Sequence, residues 1–194
     1  MTPIPSAVDI ERLSSRHVDA ALQAAHESVA DVFPWMEWCR PGLERSEIAS
    51  MVAALECLWD KGEAYAFAVV DSATGEFLGS ATLNRIDQAN RVANLNYWIR
   101  SSRNGRGIAT QASRLVCRYG IERLGLERIG ILVAEGNAAS QRVAEKLGAT
   151  QEGILRNAMR LHDRQVDATQ YSLVPVDLAD CAAAEQLADA DPAG

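Results

Sequence analysis

One segment near the middle of the chain constrains the fold most, because it joins a strand, a basic glycine turn and a helix. Its sequence is Tyr97-Trp98-Ile99-Arg100-Ser101-Ser102-Arg103-Asn104-Gly105-Arg106-Gly107-Ile108-Ala109-Thr110. At such a junction backbone N–H groups point into one concavity, and the positive end of the helix dipole adds to their attraction for an anion. Gly105 and Gly107 lack the Cβ atoms that would keep an anion away from the main chain. Arg100, Arg103 and Arg106 supply mobile positive charge. The segment predicts a pyrophosphate site.

Two common phosphate loops differ from this segment. A P-loop requires Gly-Lys-Ser/Thr, and the segment contains no lysine. A dinucleotide fingerprint requires a third glycine at the place where Thr110 stands. From spacing alone, an ordinary Asn104-Gly105 turn with solvated arginines is the alternative to a phosphate site.

The remaining pattern predicts a mixed α/β domain. Apolar residues at three- and four-residue spacing indicate helices, and short apolar runs between turn residues indicate strands. Helices are expected at 15–30, 44–59, 108–124 and 137–147, and strands at 65–70, 77–86, 92–99, 128–134, 154–161 and 166–174. Short turns between the first three strands favour an antiparallel meander, and the helix at 108–124 favours a later crossover. Gly148 stands where a left-handed helix cap belongs.

The composition is typical of a globular protein and excludes several other classes. The chain has 194 residues, of which 48% are hydrophobic, and 19 Lys+Arg against 26 Asp+Glu give a net charge of −7. That charge argues against stable nucleic-acid binding. The four cysteines form no CxxC pair and the three histidines lie at no metal-ligand spacing, so we expect no disulfide framework and no metal site. No secretory pattern and no apolar run of ~18 residues is present, so we expect a cytoplasmic protein without a membrane partner.

The last residues differ in composition from the rest. Residues 176–194 contain seven alanines and five acidic residues and no Lys or Arg. We therefore expect a single domain over 1–175 and a flexible acidic tail over 176–194. The oligomeric state stays open, with a homodimer as one candidate.

Two sequence blocks resemble a known family. Asn104-Gly105-Arg106-Gly107-Ile108-Ala109 resembles the Gln/Arg-x-x-Gly-x-Gly/Ala loop of the GNAT superfamily of N-acetyltransferases, with Asn104 in place of Gln or Arg. Residues 134–149 resemble the Asn-x-x-Ser-x-x-x-x-x-Lys-Leu-Gly block of that family. The stretches 33–38, 96–99 and 152–156 look like its RimJ/RimL branch, and the resemblance runs from about Ile10 to Pro175. It implies a splayed, mostly antiparallel sheet of six or seven strands with helices on both faces.

The resemblance also implies acetyl-CoA as the cofactor and assigns residues to it. The pyrophosphate would lie on Asn104, Gly105, Arg106, Gly107, Ile108, Ala109 and Thr110, the thioester and pantetheine on the amides of Trp98, Ile99 and Arg100, and the pantetheine arm also on Asn137. Asn137 is equally suited to cap its helix. Ser140 is the first candidate to protonate the departing thiolate, and Tyr171 is the second.

The sequence identifies the general base and the acceptor site less directly than the cofactor loop. Some relatives carry a glutamate on the penultimate strand at the position that Met159 occupies here. Without that carboxylate the chemistry favours an α-amine, because its pKa of ~7.7–8.0 lies far below the ~10.4 of lysine. Trp35, Glu37 and Trp38, between the first two helices, are candidates for acceptor binding, and core packing explains the tryptophans at least as well.

These observations favour an acetyl-CoA-dependent N-acetyltransferase acting on a primary amine. The first expectation for the acceptor is the N-terminal α-amine of a protein, for example a ribosomal protein. A small-molecule amine acetyltransferase, acting on a polyamine or an antibiotic, and a non-catalytic acyl-CoA-binding sensor are the alternatives.

Overall fold

The computed structural model describes residues 7–178 of the chain, which contain seven strands and four α-helices of nine or more residues. They are β1 (Val8–Arg12), α1 (Val18–Val32), α2 (Arg45–Asp60), β2 (Tyr65–Asp71), β3 (Phe77–Asp87), β4 (Val92–Ile99), α3 (Ile108–Leu124), β5 (Arg128–Ala134), α4 (Ala138–Lys146), β6 (Thr150–Leu161) and β7 (Arg164–Leu173). None of these helices is both long and apolar enough to cross a bilayer. The predicted tail lies outside the described residues from 179 onward, while Leu178 still packs against the core.

The four predicted helices and six predicted strands are confirmed, and the structure adds one strand. β1 was not predicted, because its five residues, VDIER, include only two apolar positions. It pairs antiparallel with β2 at the edge of the sheet. β6 begins four residues before the predicted strand start at 154, and Gly148 has the left-handed φ of 78° that was expected.

All seven strands belong to one sheet, in the order β1-β2-β3-β4-β5-β7-β6. Every neighbouring pair is antiparallel except β4 and β5, which are parallel and joined by the α3 crossover. The fold class is therefore the predicted mixed α/β sheet with helices on both faces.

Alternating side chains divide the core into two layers. Ala66 and Ala68 of β2 pack with α1 and α2 on one face, whereas Phe67 and Val69 pack with α3 and α4 on the other. Because successive residues of a strand point to opposite faces, one strand supplies both layers. β2 is thus covered on both sides, as its apolar character requires.

The parallel pair β4 and β5 separates soon after it forms. The two strands pair only at Val92–Asn94 with Arg128–Gly130, so the rest of each strand faces a gap. β4 meanwhile stays paired with β3 as far as Ile99, opposite Gly79. A Cβ on Gly79 would lie 2.1 Å from the carbonyl oxygen of Trp98, so only glycine allows this close backbone approach beside the gap.

We expect Gly79→Ala to destabilise the protein by about 2–3 kcal/mol more than Gly153→Ala, because only the first introduces a backbone clash. Gly153 is a matched control, since its φ of 151° equals the 152° of Gly79 within a degree and no atom lies within 4 Å of where its Cβ would stand. Urea unfolding of both variants measures the difference. Equal losses of unfolding free energy would contradict the close approach.

Candidate active site

A cleft of about 920 Å³ passes through the gap between β4 and β5. At one end it is lined by the turn after β4 and the first turn of α3, and at the other by the connection between α1 and α2. Nine of the residues predicted to bind cofactor line it: Trp98, Ile99, Asn104, Gly105, Gly107, Ile108, Ala109, Thr110 and Asn137. A volume of this size is typical of sites for cofactors and drug-sized ligands.

The turn after β4 has the geometry of an anion site. Gly105 and Gly107 adopt left-handed φ angles of 76° and 78°, and Gly107 directly precedes α3. The amides of the first turn of α3 have no acceptor within the helix, and they lie at the positive end of its dipole. No atom lies within 4 Å of where a Cβ on Gly105 would stand, so the concavity is open at the main chain.

Arg100 does not supply mobile charge, and that prediction is wrong. Its buried guanidinium donates to both carboxylate oxygens of Glu27 at 2.8 and 2.6 Å, and to Glu76 Oε1 at 2.8 Å. Its amide donates to the Leu78 carbonyl at 2.8 Å, so it is not free for a thioester either. The pairing with Arg100 lowers the pKa of Glu27 to about 2. Arg100 therefore anchors the turn from behind.

Acidic residues of α1, together with Glu76, hold the rest of the turn in the same way. Ser102 Oγ donates to Glu27 at 2.7 Å, and the Asn104 side chain donates to Asp31 at 3.2 Å. Arg103 pairs with Glu76. Arg106 is exposed and does not line the cleft, so its contact with the pyrophosphate stays a prediction.

Basic residues of α4 face the cleft instead. Ala139, Arg142, Val143 and Lys146 share one helical face and all line the cleft. Sequence reasoning did not assign Arg142 or Lys146 to the site. Their spacing of four residues on a helix that begins next to Asn137 was the available signal.

One edge of β4 presents amides to the gap. Because the Arg100 amide points to β3, the alternation of a strand directs the amides of Ile99 and Tyr97 to the opposite edge. There the pairing with β5 has already ended. Of the three predicted amides, the Ile99 amide is therefore the one available to a group in the gap.

Ser140 lies across the gap from β4, in contact with a tyrosine. Its hydroxyl is 2.9 Å from the Tyr97 hydroxyl, which also donates to the Ser140 carbonyl at 3.2 Å. The Asn137 side chain caps α4 by accepting the Ser140 amide at 3.0 Å. Burial raises the pKa of Tyr97 to about 12, although the hydrogen bond with Ser140 opposes that shift. Both hydroxyls are thus protonated at neutral pH and able to donate.

Tyr171 does not join this pair. It is 2% exposed, packs in the core layer with α3 and α4, and does not line the cleft. Burial raises its pKa. The predicted catalytic role of Tyr171 is wrong, because its side chain is enclosed by the core, and Tyr97 is the tyrosine that the fold brings to Ser140.

The end of the cleft at the connection between α1 and α2 is the candidate acceptor end. It is lined by the two predicted tryptophans but not by the predicted glutamate. Trp35 and Trp38 line the cleft, and Trp38 also packs edge-on against Trp98 at 5.3 Å between ring centroids. Glu37 points away, because its carboxylate accepts the amide of His162 in the turn between β6 and β7. Its predicted contact with a substrate amine is therefore wrong.

The turn between β6 and β7 contacts the connection between α1 and α2 at this end of the cleft. The His162 ring lies edge-on to Phe33 at 4.5 Å, and its Nε2 donates to the Phe33 carbonyl at 3.0 Å. Met159 of β6 lines the cleft. Of the described residues that line the cleft, Asp31 is the single carboxylate, and it lies at the end near Ser101 and Asn104. Within residues 7–178, no carboxylate base lines the acceptor end.

A family model described as the acetyltransferase (GNAT) domain matches residues 8–150, which is most of the chain. The chain belongs to the GNAT acetyltransferase family.

Individual relatives agree with this membership. The putative ribosomal N-acetyltransferase YdaF of Bacillus subtilis (strain 168) is 37% identical over 100 residues, which span 52% of this chain and about half of that relative, 55%. The ribosomal-protein-serine acetyltransferase of Escherichia coli (strain K12) is 23% identical over 88% of this chain and 94% of its own. Mycobacterium smegmatis RimJ, solved in complex with CoA-disulfide, superposes with a TM-score of 0.84 over 93% of this chain and 91% of its own at 22% identity. The GNAT fold thus extends across both ends of the cleft.

In this GNAT domain we expect Glu27→Gln to change how stability depends on pH. The pKa of Glu27 in the folded protein, about 2, lies below the usual 4.5. The ionised carboxylate therefore adds to the free energy of unfolding above about pH 4.5, and this stabilisation is lost as pH falls toward 2. The variant should be less stable than the wild type at pH 7 by about 1–2 kcal/mol, and the difference should shrink in acid.

Denaturant unfolding between pH 7 and pH 2.5 measures this effect. Glu63→Gln, which removes an exposed carboxylate, is the control and should follow the wild type. If Glu27→Gln also follows the wild type at every pH, Glu27 does not anchor the turn.

Proposed function

We propose that this protein is an acetyl-CoA-dependent N-acetyltransferase whose acceptor is a primary amine, the N-terminal α-amine of a protein such as a ribosomal protein being the first candidate. The observation that carries the proposal is the continuous cleft, which joins the anion site at α3 to the gap where Ser140 meets Tyr97. The relative named as a ribosomal-protein-serine acetyltransferase supports the choice of acceptor.

The residues at one end of the cleft fit the diphosphate of coenzyme A. Gly105 and Gly107 leave the main chain accessible, and the first-turn amides of α3 donate to an anion without a competing helical acceptor. Arg142 and Lys146 add positive charge from α4. When bound, acetyl-CoA supplies an activated thioester.

The gap supplies groups for the two charges that develop during transfer. The Ile99 amide is directed toward the gap and would stabilise negative charge that develops on an acyl oxygen bound there. With acetyl-CoA bound, the Ser140 hydroxyl would be placed to give its proton to the departing sulfur as the amine nitrogen replaces that sulfur on the acyl carbon. Tyr97 holds that hydroxyl in place and would replace the lost proton from its own O–H, which then regains a proton from solvent. The proton that the amine loses would leave to solvent.

The lack of a carboxylate at Met159 makes the acceptor's own ionisation decisive. We expect peptide α-amines to be acetylated faster than lysine side chains near pH 7.5, because a pKa of ~8 rather than ~10.4 gives over a hundredfold more neutral amine. The rate should rise with pH along the ionisation of the amine.

Coenzyme A release with a panel of peptides, Nα-blocked lysine and spermidine, measured from pH 6 to pH 9, tests this proposal. A preference for spermidine at neutral pH favours the small-amine alternative, and binding of acetyl-CoA without release favours the sensor. Either outcome contradicts the proposed acceptor.

Gly107→Glu should weaken acetyl-CoA binding by about 100-fold or more, because it places a carboxylate where phosphate is bound. Gly75→Glu is the matched control, since Gly75 lies in the turn between β2 and β3 with a φ of 72°, close to the 78° of Gly107. Both changes strain the backbone equally. Isothermal titration of the folded variants should therefore show a loss only for Gly107→Glu, and unchanged affinity would remove this loop from the site.

Ser140→Ala should lower kcat by about 10²-fold while leaving the Kd for acetyl-CoA nearly unchanged, because a proton donor acts on the departing sulfur and not on the bound thioester. Tyr97→Phe, which keeps the ring, should give a smaller loss of kcat. Single-turnover kinetics and titration calorimetry separate the two quantities. An equal loss in kcat and in binding would leave Ser140 with a structural role in α4 alone.

A further inference from the structure

A strip of uncharged polar side chains crosses the sheet on the face that carries α1 and α2. It consists of Ser80, Thr82 and Asn84 on β3 and of Asn94 and Asn96 on β4. Thr82 pairs with Asn96 and Asn84 with Asn94 across the two strands. Since alternate residues of a strand share a face, the five side chains stand together beside Trp98, which packs on that same face.

The strip belongs to the wall of the cleft. Ser80, Thr82, Asn84 and Asn96 line it, opposite the apolar side chains of α2 and of the α1–α2 connection, Met36, Met51 and Leu55. Asn94 donates to the side-chain oxygens of Asn84 and Asn96, each at 3.3 Å, and so leaves their NH₂ groups to donate elsewhere.

The strip also carries two hydroxyl groups, those of Ser80 and Thr82. Across residues 7–178, no side-chain hydrogen bond is formed by Ser80 Oγ or Thr82 Oγ1. Partly buried polar groups in a cleft are normally satisfied by water or by a ligand. The strip therefore offers hydroxyl and amide groups to whatever occupies the acceptor end.

The absence of charged residues, among those described, on the cleft wall formed by β3, β4 and α2 favours a peptide over a polyamine as the acceptor. The charged residues that line the described cleft, Asp31, Arg103, Arg142 and Lys146, belong to α1, the turn after β4 and α4. None lies on β3, β4 or α2. A polyamine would carry further positive charges to a wall with no carboxylate, whereas the main chain of a peptide carries neutral donors and acceptors.

The spacing of the strip matches that of an extended peptide. Alternate residues of β3 stand ~6.6–6.8 Å apart, and main-chain amides on one side of an extended chain recur at the same distance. From Ser80 to Asn84 the strip covers ~13 Å, which is the length of about four extended residues.

We propose that this strip binds the first three or four residues of an extended, uncharged N-terminal segment through their main-chain amide groups, and that Ser80 and Thr82 determine specificity for peptide over polyamine. The inference rests on the proposed function and adds the part of the acceptor that is recognised beyond the reacting amine.

A series of acceptors of increasing length tests the inference with the full chain: serine amide, then di-, tri- and tetrapeptide amides that begin with serine, and spermidine. In the wild type kcat/KM should rise with each added residue, reach a plateau near the tetrapeptide and exceed the value for spermidine. Thr82→Val and Ser80→Ala should each lower kcat/KM for the tetrapeptide about three- to tenfold, the size of one neutral hydrogen bond. The loss should be smaller for serine amide than for the tetrapeptide, and the Kd for acetyl-CoA should stay unchanged.

Thr150→Val, at an exposed position of β6, is the matched control and should leave every acceptor unchanged. If the wild type acetylates serine amide without any gain on lengthening, or if Thr82→Val and Ser80→Ala leave the length dependence intact, the inference is overturned while the proposed function stands. If the wild type releases coenzyme A with no amine in the series, the proposed function fails and the inference fails with it. A retained melting temperature shows that the variants are folded.

Discussion

The early end of the pairing between β4 and β5 is the constraint on which the site depends. Three residue pairs join these parallel strands, and beyond them each strand keeps only its outer neighbour, β3 or β7. A continuous ladder would consume the inward amides of β4 and close the sheet. Because the ladder stops, a ligand can lie between the strands and contact the main chain directly. The connections that follow β4 and β5 lead into the N-terminal ends of α3 and α4, so both helix dipoles are directed toward the same gap.

The arginines of the turn after β4 add less positive charge to this gap than their number indicates. Arg100 and Arg103 are paired with Glu27 and Glu76, so they stabilise the shape of the turn rather than its positive potential. Neutral main-chain amides form the concavity itself. The cations that line the cleft without lying in the turn come from α4. Such an arrangement fixes the loop before any ligand arrives, which lowers the entropy that binding must remove.

Local sequence patterns predicted the features that depend on local chemistry. The glycine positions, the helix and strand periods and the cap at Asn137 all act over a few residues, and each is found in the structure. Predictions failed where a side chain's partner is distant in the chain. Arg100 was assigned to the pocket because its partner Glu27 is 73 residues away, and Glu37 was assigned to the acceptor because nothing near it indicates His162. Tyr171 was named and Tyr97 was not for the same reason, since only the folded structure shows which tyrosine contacts Ser140.

The contact of His162 with Glu37 and Phe33 has a consequence for how the molecule is assembled. The anchor of the turn after β4 links residues 73 apart, whereas this contact links residues 125 and 129 apart. During synthesis the first set of partners is complete once β4 and its turn have emerged, but the second waits for the last hairpin. Longer loops cost more entropy to close, and contacts at an exposed hairpin tip are among the first to open in local unfolding. The hairpin contact at the acceptor end can therefore form only after the anchor of the turn, and we expect it to open before that anchor in local unfolding.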